Sequence, residues 1–497
     1  MIPLRVGEVA AVLGALVEPT SSAPVDLDRA ASHVTADSRA VALSSLFVAL
    51  PGERVDGHAY VGQAFAAGAV AALVAHVVPD APGPQLVVAD PLEAFGRVAR
   101  HVVDRTRATP SRPEGLRVVG LTGSQGKTST KDLLGAVLAA AGPTVAPAGN
   151  LNNELGVPLT VTRVDRTTRF LVAEMGARGI GHVAYLCRIA PPDVAVVLNV
   201  GHAHVGEFGG QDAIARAKGE LVEALGADGV AVLNRDDPRV WGMRSRTRAR
   251  VLPFAVVDPQ AGRPAAPDEP DLVWADGLGA DDRGRYRFTL HVRTAGEDEQ
   301  GAVALRVTGR HQVANATAAA AAATALGVDL ATVTTALSAA EPASRWRMEV
   351  DDRADGVTVV NDSYNANPAS MAAAVDTLAE LGRGRGRTWA VVGDMLELGA
   401  EAPALHAALA AQLAAAEVDE VVALGEFAPL LVEGQPGRAR VARSAAEAAA
   451  WVRADVLPGD VVLVKASRGL ALDVVADEIL RAPDRERATS PEAGGGA

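Results

Sequence analysis

A glycine-rich segment between a predicted strand and a predicted helix has the composition of a phosphate-binding loop. Its residues are Thr122-Gly123-Ser124-Gln125-Gly126-Lys127-Thr128-Ser129. Glycines let a backbone wrap around phosphates, so that its N–H groups and the N-terminus of the next helix face the anion. In such a loop Lys127 would reach the β- and γ-phosphates, and the Thr128 hydroxyl would reach a magnesium ion. Because Leu121 stands where the strict pattern has glycine, we predict a shortened phosphate loop.

Two residues with metal-binding chemistry follow predicted strands. Glu174 ends the apolar strand in FLVAEMGA, and His204 follows the apolar strand in DVAVVLNVGHAH. The carboxyl ends of parallel strands share one edge of a sheet, so both side chains are expected beside the phosphate loop. A hydroxyl, a carboxylate and an imidazole there would suit a hard cation whose shell is completed by waters and phosphates. The alternatives are a solvent-facing acid and a structural histidine, and His202 competes with His204.

Lysine is rare in this chain, which makes its positions informative. Of the 47 basic residues four are lysines, at positions 127, 131, 218 and 465. Unlike arginine, lysine offers a compact charge and an amine that can lose its proton. Lys218, at the start of a predicted helix, is either a solvated helical lysine or a desolvated amine that adds CO₂ to give a carbamate. We interpret Lys131, one helical turn beyond Lys127, as a neighbouring surface charge.

The composition excludes several classes of protein. At 497 residues the chain is long enough for about three domains, and 49% apolar residues can form sizeable cores. The formal net charge is −13, so no overall basic field exists to hold nucleic acid. One cysteine, Cys187, excludes a disulfide framework and a multi-cysteine zinc site. Met1–Glu18 is a poor signal peptide and no window has membrane-span character, so we expect a soluble cytoplasmic protein, and we expect a monomer.

The order of apolar and polar stretches predicts three α/β domains. Between residues 111 and 342, continuous apolar strands alternate with helices, which is typical of a doubly wound, mostly parallel sheet with ligands at the strand ends. Residues 251–308 alternate in polarity and predict appended antiparallel strands. The C-terminal part repeats the parallel pattern and predicts a Rossmann-like α/β domain. The predicted segments are an N-terminal domain (1–110) with a polar hinge (106–115), the central domain (111–342), the C-terminal domain (343–484) and a disordered tail (485–497).

Together these motifs resemble those of the Mur ligase family, the ATP-dependent amide-forming enzymes of peptidoglycan precursor synthesis. The resemblance covers nearly the whole chain and is carried by TGSQGKTS, AEMGA, NVGHAHVGEFG and GRHQVAN. It implies that ATP and two Mg²⁺ ions are bound, with Thr128, Glu174 and His204 as metal ligands. It also implies that Lys218 is carbamylated and helps to hold the second Mg²⁺. The implied catalytic residues are Lys127, Glu174, His204 and Lys218.

The resemblance also assigns contacts to the nucleotide and the substrates. It implies that Asn315 contacts the adenine, although Gln312 stands where the family usually has asparagine. We expect Arg345 and Asp362 to bind the nucleotide from the C-terminal domain, which must close over the central one. The implied substrate-binding residues are Ser38, Arg39, Asp56, His58, Asn150, Asn152, Asn153, Tyr364, Asn365, Asn367, Lys465, Ser467 and Arg468.

Three runs indicate which amide the chain would form. GNLNNELGVP, NDSYNANPASM and VVGDMLELG are similar to those of the family members that join D-alanyl-D-alanine to UDP-N-acetylmuramoyl-tripeptide. The sister members that add the third peptide residue typically have an Asp-Tyr-Ala-His-type run where this chain has Asp362-Ser-Tyr364-Asn365. The implied partners are therefore the UDP-linked tripeptide, on the N-terminal domain, and the dipeptide, on the C-terminal domain.

Other functions stay open at this point. The sister ligase or a folylpolyglutamate synthetase would join a different amine. A phosphate-loop ATPase or kinase would release ADP without forming an amide, and a nucleotide-binding scaffold would catalyse nothing. The presence of Glu174, His204 and Lys218 together disfavours the scaffold.

Overall fold

Three main β-sheets, each flanked by helices, form the described part of the chain. The computed structural model describes residues 1–18, 26–52, 55–107, 115–201, 210–259, 262–263, 265–435 and 439–481. Unit 1 comprises Met1–Asp281 with Arg285–Ser344, and unit 2 comprises Asp282–Gly284 with the residues from Arg345 onward. His204, most of the predicted hinge and the predicted tail lie outside the described residues.

The first sheet lies in the N-terminal part of unit 1. Its region contains β1 (Leu4–Arg5), β2 (Leu16–Glu18), β3 (Ala30–Ala31), β4 (His33–Thr35), β5 (Ser45–Val48), β6 (Ala69–Val74), β7 (Gln85–Val87), α1 (Val6–Leu13), α2 (Val61–Ala66) and α3 (Pro91–Thr106). Among the described strands the order is β2-β7-β6-β5-β4, with β2 antiparallel to β7 and the others parallel, while β1 pairs with β3. Helix α3 begins at Pro91 because the Asp90 carboxylate accepts hydrogen bonds from the N–H groups of Leu92 and Glu93.

The central sheet of unit 1 carries the predicted phosphate loop. Its strands are β8 (Arg117–Thr122), β9 (Thr144–Val145), β10 (Phe170–Glu174), β11 (Val194–Val197), β12 (Val230–Asn234), β13 (Arg250–Val256), β14 (Leu272–Ala280), β15 (Arg285–Thr294) and β16 (Glu297–Thr308). In the described residues their order is β16-β15-β14-β13-β12-β11-β8-β10-β9. Each strand from β8 to β14 is parallel to its neighbours among these seven strands. Strands β15 and β16 are added to the β14 edge in antiparallel pairs. The appended region therefore begins later than residue 251, because β13 still belongs to the parallel part.

Helices cover both faces of this sheet. They are α4 (Lys127–Ala141), α5 (Gly156–Val161), α6 (His182–Ile189), α7 (Gln211–Glu223), α8 (Pro238–Gly242), α9 (His311–Ala325) and α10 (Leu330–Ala339). Successive residues of β8 point to opposite faces. Val118 joins a core that includes Val98 of α3, and Val119 joins a core that includes the alanines of α9. The N-terminal and central parts of unit 1 thus share one continuous core.

Unit 2 contains the third sheet. Its elements are β17 (Glu349–Asp352), β18 (Thr358–Asn361), β19 (Thr388–Gly393), β20 (Glu420–Leu424), β21 (Ala439–Val441), β22 (Val461–Lys465), α11 (Pro368–Gly382), α12 (Ala402–Ala415), α13 (Ala428–Glu433), α14 (Ala445–Asp455) and α15 (Asp473–Leu480). The described strands have the order β17-β18-β22-β19-β20-β21, and all neighbours except β17 and β18 are parallel. Apolar clusters cover both faces, as in the predicted Rossmann-like domain.

Each helix in the described ranges is too short or too polar to cross a lipid bilayer.

Candidate active site

The predicted phosphate loop connects β8 to α4. Gly126 has a φ of +78°, a conformation that favours glycine. A Cβ atom there would come within 2.4 Å of Oδ1 of Asn315, so glycine also permits the close approach of α9. Lys127 begins α4, and its Nζ donates a 2.8 Å hydrogen bond to the Gly123 carbonyl. The loop thus places an ammonium group beside the N-terminus of a 15-residue helix, which suits a polyphosphate.

Asn199, which we did not assign to the site from the sequence, shapes this loop. Its carbonyl accepts a 3.1 Å hydrogen bond from the N–H of Ser124, and its Oδ1 accepts one of 2.9 Å from the N–H of Gln125. Oγ of Ser124 in turn accepts a 2.8 Å hydrogen bond from the N–H of Gly201. Two N–H groups of the loop are therefore engaged within the protein, and we expect the phosphate-facing donors in the first turn of α4. The sequence feature that could have indicated this role is the position of Asn199, two residues after the apolar strand β11.

Glu174 and Thr128 lie together, at the carboxyl ends of two parallel neighbours, β10 and β8. Glu174 is 1% exposed. Its Oε2 accepts a 3.1 Å hydrogen bond from Oγ1 of Thr128, and its Oε1 accepts one of 2.8 Å from Nδ2 of Asn152. Beneath them, the Thr122 hydroxyl donates to the Met175 carbonyl at 2.8 Å and ties the two strand ends together. Both oxygens of the carboxylate are therefore held in a defined orientation beside the phosphate loop.

Lys218 is buried on α7, with 5% of its surface exposed. Burial, together with the positive charge of Lys127, holds the pKa of Lys218 well below its ordinary value. A lowered pKa favours the neutral amine, which is the form that can add CO₂. Of the two interpretations made from the sequence, the solvated helical lysine is therefore wrong.

The turn of α7 that carries Lys218 is held from two sides. Both carboxylate oxygens of the buried Glu220 accept hydrogen bonds from N–H groups at the start of α6. Arg246 donates to two main-chain carbonyls of α7, at 3.1 and 2.9 Å. A Cβ atom on Gly219 would come within 1.8 Å of Nη1 of Arg246. These contacts fix the position of Lys218 relative to the sheet.

Helix α9 brings Asn315 to the phosphate loop. Nδ2 of Asn315 donates a 2.9 Å hydrogen bond to Oε1 of Gln312, and both side chains are buried. Gln312 therefore sets the orientation of the Asn315 amide. Just before the helix, the Arg310 guanidinium donates two hydrogen bonds to the carboxylate of Asp258, which is 3% exposed. Asp258 lies in the segment for which the sequence predicted only appended strands, and it anchors the start of α9.

Lys131 is not the surface charge that we predicted, because it is 2% exposed. Its Nζ donates a 2.8 Å hydrogen bond to the Pro147 carbonyl and lies 2.5 Å from Oδ1 of Asp132. Lys131 lies one helical turn beyond Lys127 on α4. The loop that precedes α5 covers this part of the helix, so the Lys131 side chain is buried.

The three asparagines of that loop have different surroundings. Asn152 contacts Glu174, as described above. Oδ1 of Asn153 accepts a 2.8 Å hydrogen bond from the N–H of Gly156, which begins α5. Asn150 is exposed.

The residues predicted to contact a UDP-linked substrate form local hydrogen bonds in the N-terminal part of unit 1. The Asp37 carboxylate accepts hydrogen bonds from the guanidinium and the N–H of Arg39, and these lower the pKa of Asp37 to about 2. Ser38 begins a short 3₁₀ helix. Oδ1 of Asp56 lies 2.6 Å from Nδ1 of His58, whose Nε2 accepts a 2.9 Å hydrogen bond from the N–H that follows β6. This pairing places the proton of the neutral His58 ring on Nδ1.

Asp362 and Lys465 form a buried ion pair in unit 2. Nζ of Lys465 lies 2.6 Å from Oδ2 of Asp362 and donates a 2.8 Å hydrogen bond to the Asn365 carbonyl. The strands that carry them, β18 and β22, are parallel neighbours, so their carboxyl ends meet. Lys465 is 1% exposed, and its contacts hold the polar run that follows β18.

Two further predicted residues organise the same edge. Asn367 caps α11, since its Oδ1 accepts a 2.9 Å hydrogen bond from the N–H of Ser370 and the Ser370 hydroxyl accepts one from the N–H of Asn367. Oγ of Ser467 accepts a 2.9 Å hydrogen bond from the N–H of Leu396 and so binds the segment after β19.

Three arginines surround two aromatic rings in unit 2. Cζ of Arg468 lies 4.3 Å from the centre of the Trp346 ring, and Cζ of Arg345 lies 5.5 Å from it. Cζ of Arg347 lies 4.3 Å from the centre of the Tyr364 ring. In a chain with a net charge of −13, this concentration of positive charge suits an anionic group.

Within the described residues, no group of three or more His, Cys, Asp and Glu side chains is arranged to hold a metal ion. The predicted histidine ligand, His204, lies outside them.

The chain is similar to Mur ligases over nearly its whole length. Profiles described as "Mur ligase family, catalytic domain", "Mur ligase middle domain" and "Mur ligase, glutamate ligase domain" match residues 31–102, 121–323 and 346–468. The UDP-N-acetylmuramoyl-tripeptide--D-alanyl-D-alanine ligase of Mycobacterium tuberculosis is 41% identical over 520 residues, which cover 97% of this chain and 98% of that protein.

Solved structures of similar proteins share the fold. MurF from Acinetobacter baumannii aligns with a TM-score of 0.82 and 31% identity over 97% of this chain and 99% of its own. The MurF ligase of Thermotoga maritima, solved in complex with ADP, aligns with a TM-score of 0.74 and 27% identity over 90% of this chain and 97% of its own.

Proposed function

Because the chain belongs to the Mur ligase family, we propose that it is the ATP-dependent ligase that joins D-alanyl-D-alanine to UDP-N-acetylmuramoyl-tripeptide. The product is the UDP-linked pentapeptide precursor of peptidoglycan. The observation that carries the proposal is the extent of the similarity to a ligase of that name, which covers 97% of this chain and so includes all three sheets. An ATPase or a scaffold would need only the nucleotide-binding part.

The reaction has two steps. The terminal carboxylate of the tripeptide attacks the γ-phosphorus of ATP, the bond to ADP breaks, and an acyl phosphate forms. The amine of D-alanyl-D-alanine then attacks the acyl carbon, loses a proton, and displaces inorganic phosphate as the amide forms. The difficulty is to bring an anionic carboxylate to an anionic triphosphate. Lys127 and the N-terminus of α4 reduce that repulsion.

The proposed nucleotide site is the phosphate loop and its surroundings. The similarity to a MurF ligase solved with ADP supports a nucleotide there, and so does the ammonium of Lys127 at the start of α4. We assign the adenine contact to Asn315, which Gln312 orients. Arg345 and Asp362 of unit 2 complete the proposed nucleotide contacts.

We propose that two Mg²⁺ ions accompany the nucleotide. The Thr128 hydroxyl and the Glu174 carboxylate form an oxygen donor set at the phosphate loop that fits a hard divalent cation. His204 and the carbamate of Lys218 are the other proposed ligands. When bound, the ions supply positive charge that offsets the charge on the phosphates. Asn152 donates a hydrogen bond to Oε1 of Glu174 and so fixes the orientation of Oε2, the oxygen beside Thr128.

The proposed carbamate on Lys218 is supported by its burial and by Lys127. The ammonium group first loses a proton, and the neutral amine nitrogen then bonds to the carbon of CO₂ and releases a second proton, so a cation becomes an anion. The ammonium form is repelled by Lys127, which contributes to the lowered pKa of Lys218. The carbamate would instead be attracted by Lys127. The position therefore favours the modified form.

The UDP-linked tripeptide is assigned to unit 1 and the dipeptide to unit 2. We propose that the UDP-linked tripeptide contacts Ser38, Arg39, Asp56, His58, Asn150, Asn152 and Asn153. We propose that D-alanyl-D-alanine contacts unit 2 at Tyr364, Asn365, Asn367, Lys465, Ser467 and Arg468. The carboxylate of the dipeptide has the charge that the arginine cluster of unit 2 favours. We further propose that the protein works in the cytoplasm, where ATP and nucleotide-linked sugars are available.

The test is the release of ADP in the presence of UDP-tripeptide, with and without D-alanyl-D-alanine. We expect release to depend on the dipeptide and to yield one UDP-pentapeptide per ADP, measured by mass spectrometry. Matched reactions replace the dipeptide by meso-diaminopimelate, L-lysine or glutamate. Product formed from one of these but not from the dipeptide would contradict the proposal in favour of another ligase. Release of ADP that no amine affects would indicate an ATPase.

A further inference from the structure

Lys131 is a buried cation that the proposed reaction does not use. With 2% of its surface exposed, its ammonium group has lost most of its hydration, which is unfavourable unless partners compensate. The described partners are the Pro147 carbonyl at 2.8 Å and the Asp132 carboxylate at 2.5 Å. Asp132 is the next residue of the same helix. Of these two contacts of Lys131, the one with Pro147 therefore joins α4 to another part of the fold.

The backbone that Lys131 holds is also held by a second cation. Nη1 of Arg163, which lies just beyond α5, donates a 2.8 Å hydrogen bond to the Ala146 carbonyl. Two consecutive carbonyls, those of Ala146 and Pro147, are thus bound by one side chain from α4 and one from the segment just after α5. Gly149, with a φ of +62°, then turns the chain. The entry of the loop that precedes α5 is therefore fixed by charge-assisted hydrogen bonds.

The other part of this loop orients Glu174. Asn152 donates a 2.8 Å hydrogen bond to Oε1 of Glu174, and its own carbonyl accepts one of 2.7 Å from the N–H of Gly176. The second carboxylate oxygen of Glu174 is held by Thr128. Thr128 and Lys131 are three residues apart on α4 and so share a face. One helix therefore contacts the carboxylate directly and also holds the loop whose asparagine orients it.

We propose that Lys131 is a positioning residue for the site at Glu174. By holding Pro147, it sets where Asn152 presents its amide to the carboxylate. The inference rests on the proposed function, because it takes Glu174 as a ligand of nucleotide-bound Mg²⁺. In this proposal Lys131 acts through Asn152 and not by direct contact with the nucleotide or the peptide.

The test must remove the contact with Pro147 without leaving a charge unpaired. Lys131→Met alone would leave Asp132 without its partner, so the test variant is Lys131→Met/Asp132→Asn. Asp132→Asn alone is the matched control, because it keeps the hydrogen bond to Pro147 and leaves an amide oxygen that can accept a hydrogen bond from the Lys131 ammonium group. The first measurement is Mg²⁺ binding by calorimetry with ADP present and no peptide substrate. The second is the hydrogen-exchange rate of the Gly176 amide, which bonds to Asn152.

We expect the double variant to bind Mg²⁺ about tenfold more weakly, the low end of the effect of residues that orient metal ligands. We expect the Gly176 amide to exchange faster in this variant by a similar factor. Asp132→Asn should change neither quantity by more than about twofold, because the hydrogen bond from Lys131 to the Pro147 carbonyl remains. Equal binding and equal exchange in the double variant and the control would overturn the inference.

A double-mutant cycle with Asn152→Ala tests the route of the effect. If Lys131 acts through Asn152, the loss of Mg²⁺ affinity in the combined variant equals that of Asn152→Ala alone, whereas additive losses contradict the proposal. If the double variant fails to fold by circular dichroism, Lys131→Arg replaces it, since its bulkier guanidinium must displace Pro147 and should weaken Mg²⁺ binding likewise. All measurements use Mg²⁺ and ADP alone. If the wild-type protein had no ligase activity toward D-alanyl-D-alanine, the proposed function would be contradicted. The Mg²⁺-binding and hydrogen-exchange results would still test the role of Lys131.

Discussion

The hydroxyl of Thr128 donates a 3.1 Å hydrogen bond to Oε2 of Glu174, although 46 residues separate them in the sequence. The contact joins the first turn of the helix after the phosphate loop to the end of the neighbouring strand. It places an acidic oxygen beside the proposed nucleotide site. A hard cation would be attracted to both groups, and its positive charge would favour the approach of a carboxylate to a phosphate.

Replacement of Lys127 tests the phosphate loop. We expect Lys127→Ala to lower kcat/KM for ATP-dependent ligation by about 10³-fold, because it removes a preorganised positive charge from the transferred phosphate. The midpoint of thermal unfolding should change little, since the ammonium lies over the loop and not in an apolar core. Arg248→Ala, at an exposed arginine, is the control for loss of a basic residue. Near-normal ligation by Lys127→Ala would refute the assigned role.

Replacement of Lys218 tests the carbamate. Lys218→Ala should be inactive, and added formate or acetate should restore part of the rate by occupying the vacated position as a carboxylate. Lys218→Arg should be inactive without rescue, because a guanidinium cannot form the carbamate and fills the space. The measurement is the ligation rate as a function of carboxylate concentration at constant ionic strength. Full activity of Lys218→Arg would contradict the carbamate.

The single cysteine reports on the packing around α6. Burial, with a smaller effect from the negative charge of Glu220, raises the pKa of the Cys187 thiol to about 12 from an ordinary value of 9.0. At about pH 8 we expect no reaction with a thiol reagent in the native protein and rapid reaction in denaturant. Cys187→Ala should abolish labelling in both states. Rapid labelling of the native protein would contradict the described packing.

The raised pKa of Cys187 also has a consequence for stability. Above pH 9.0 the unfolded thiol loses its proton, whereas the folded thiol keeps it to about pH 12. The folded state then binds more protons, so the thiol's contribution to the free energy of unfolding is complete below pH 9 and falls as the pH rises toward 12. Cys187→Ala should show a smaller decrease over this range in denaturant titrations.

Much of the site could be predicted because it lies at the ends of strands. Parallel strands bring their carboxyl ends to one edge, so Thr128 and Glu174 could be placed together from their positions after apolar runs. Helix α4 extends from Lys127 to Ala141, the same range that the sequence predicts, because the loop glycine and Gly142 mark both ends. The apolar run from Ala69 to Val77 predicts one strand, whereas β6 ends at Val74.

The contacts that sequence patterns missed depend on partners distant in the chain. Burial of Lys131 requires the loop at Pro147 to cover α4, and the role of Asn199 requires the phosphate loop to lie against it. The pair of Asp258 and Arg310 joins positions 52 residues apart. Local propensity contains no information about such contacts, so they appear only when the sheet order is known.

The acyl phosphate is the central claim, and transfer of labelled oxygen tests it most directly. UDP-tripeptide with both oxygens of its terminal carboxylate replaced by ¹⁸O is incubated with ATP and D-alanyl-D-alanine, and the inorganic phosphate is analysed by mass spectrometry. Attack of the carboxylate on the γ-phosphorus predicts that each phosphate carries one ¹⁸O atom and that the other stays in the new amide. Unlabelled phosphate formed together with the pentapeptide would contradict the account.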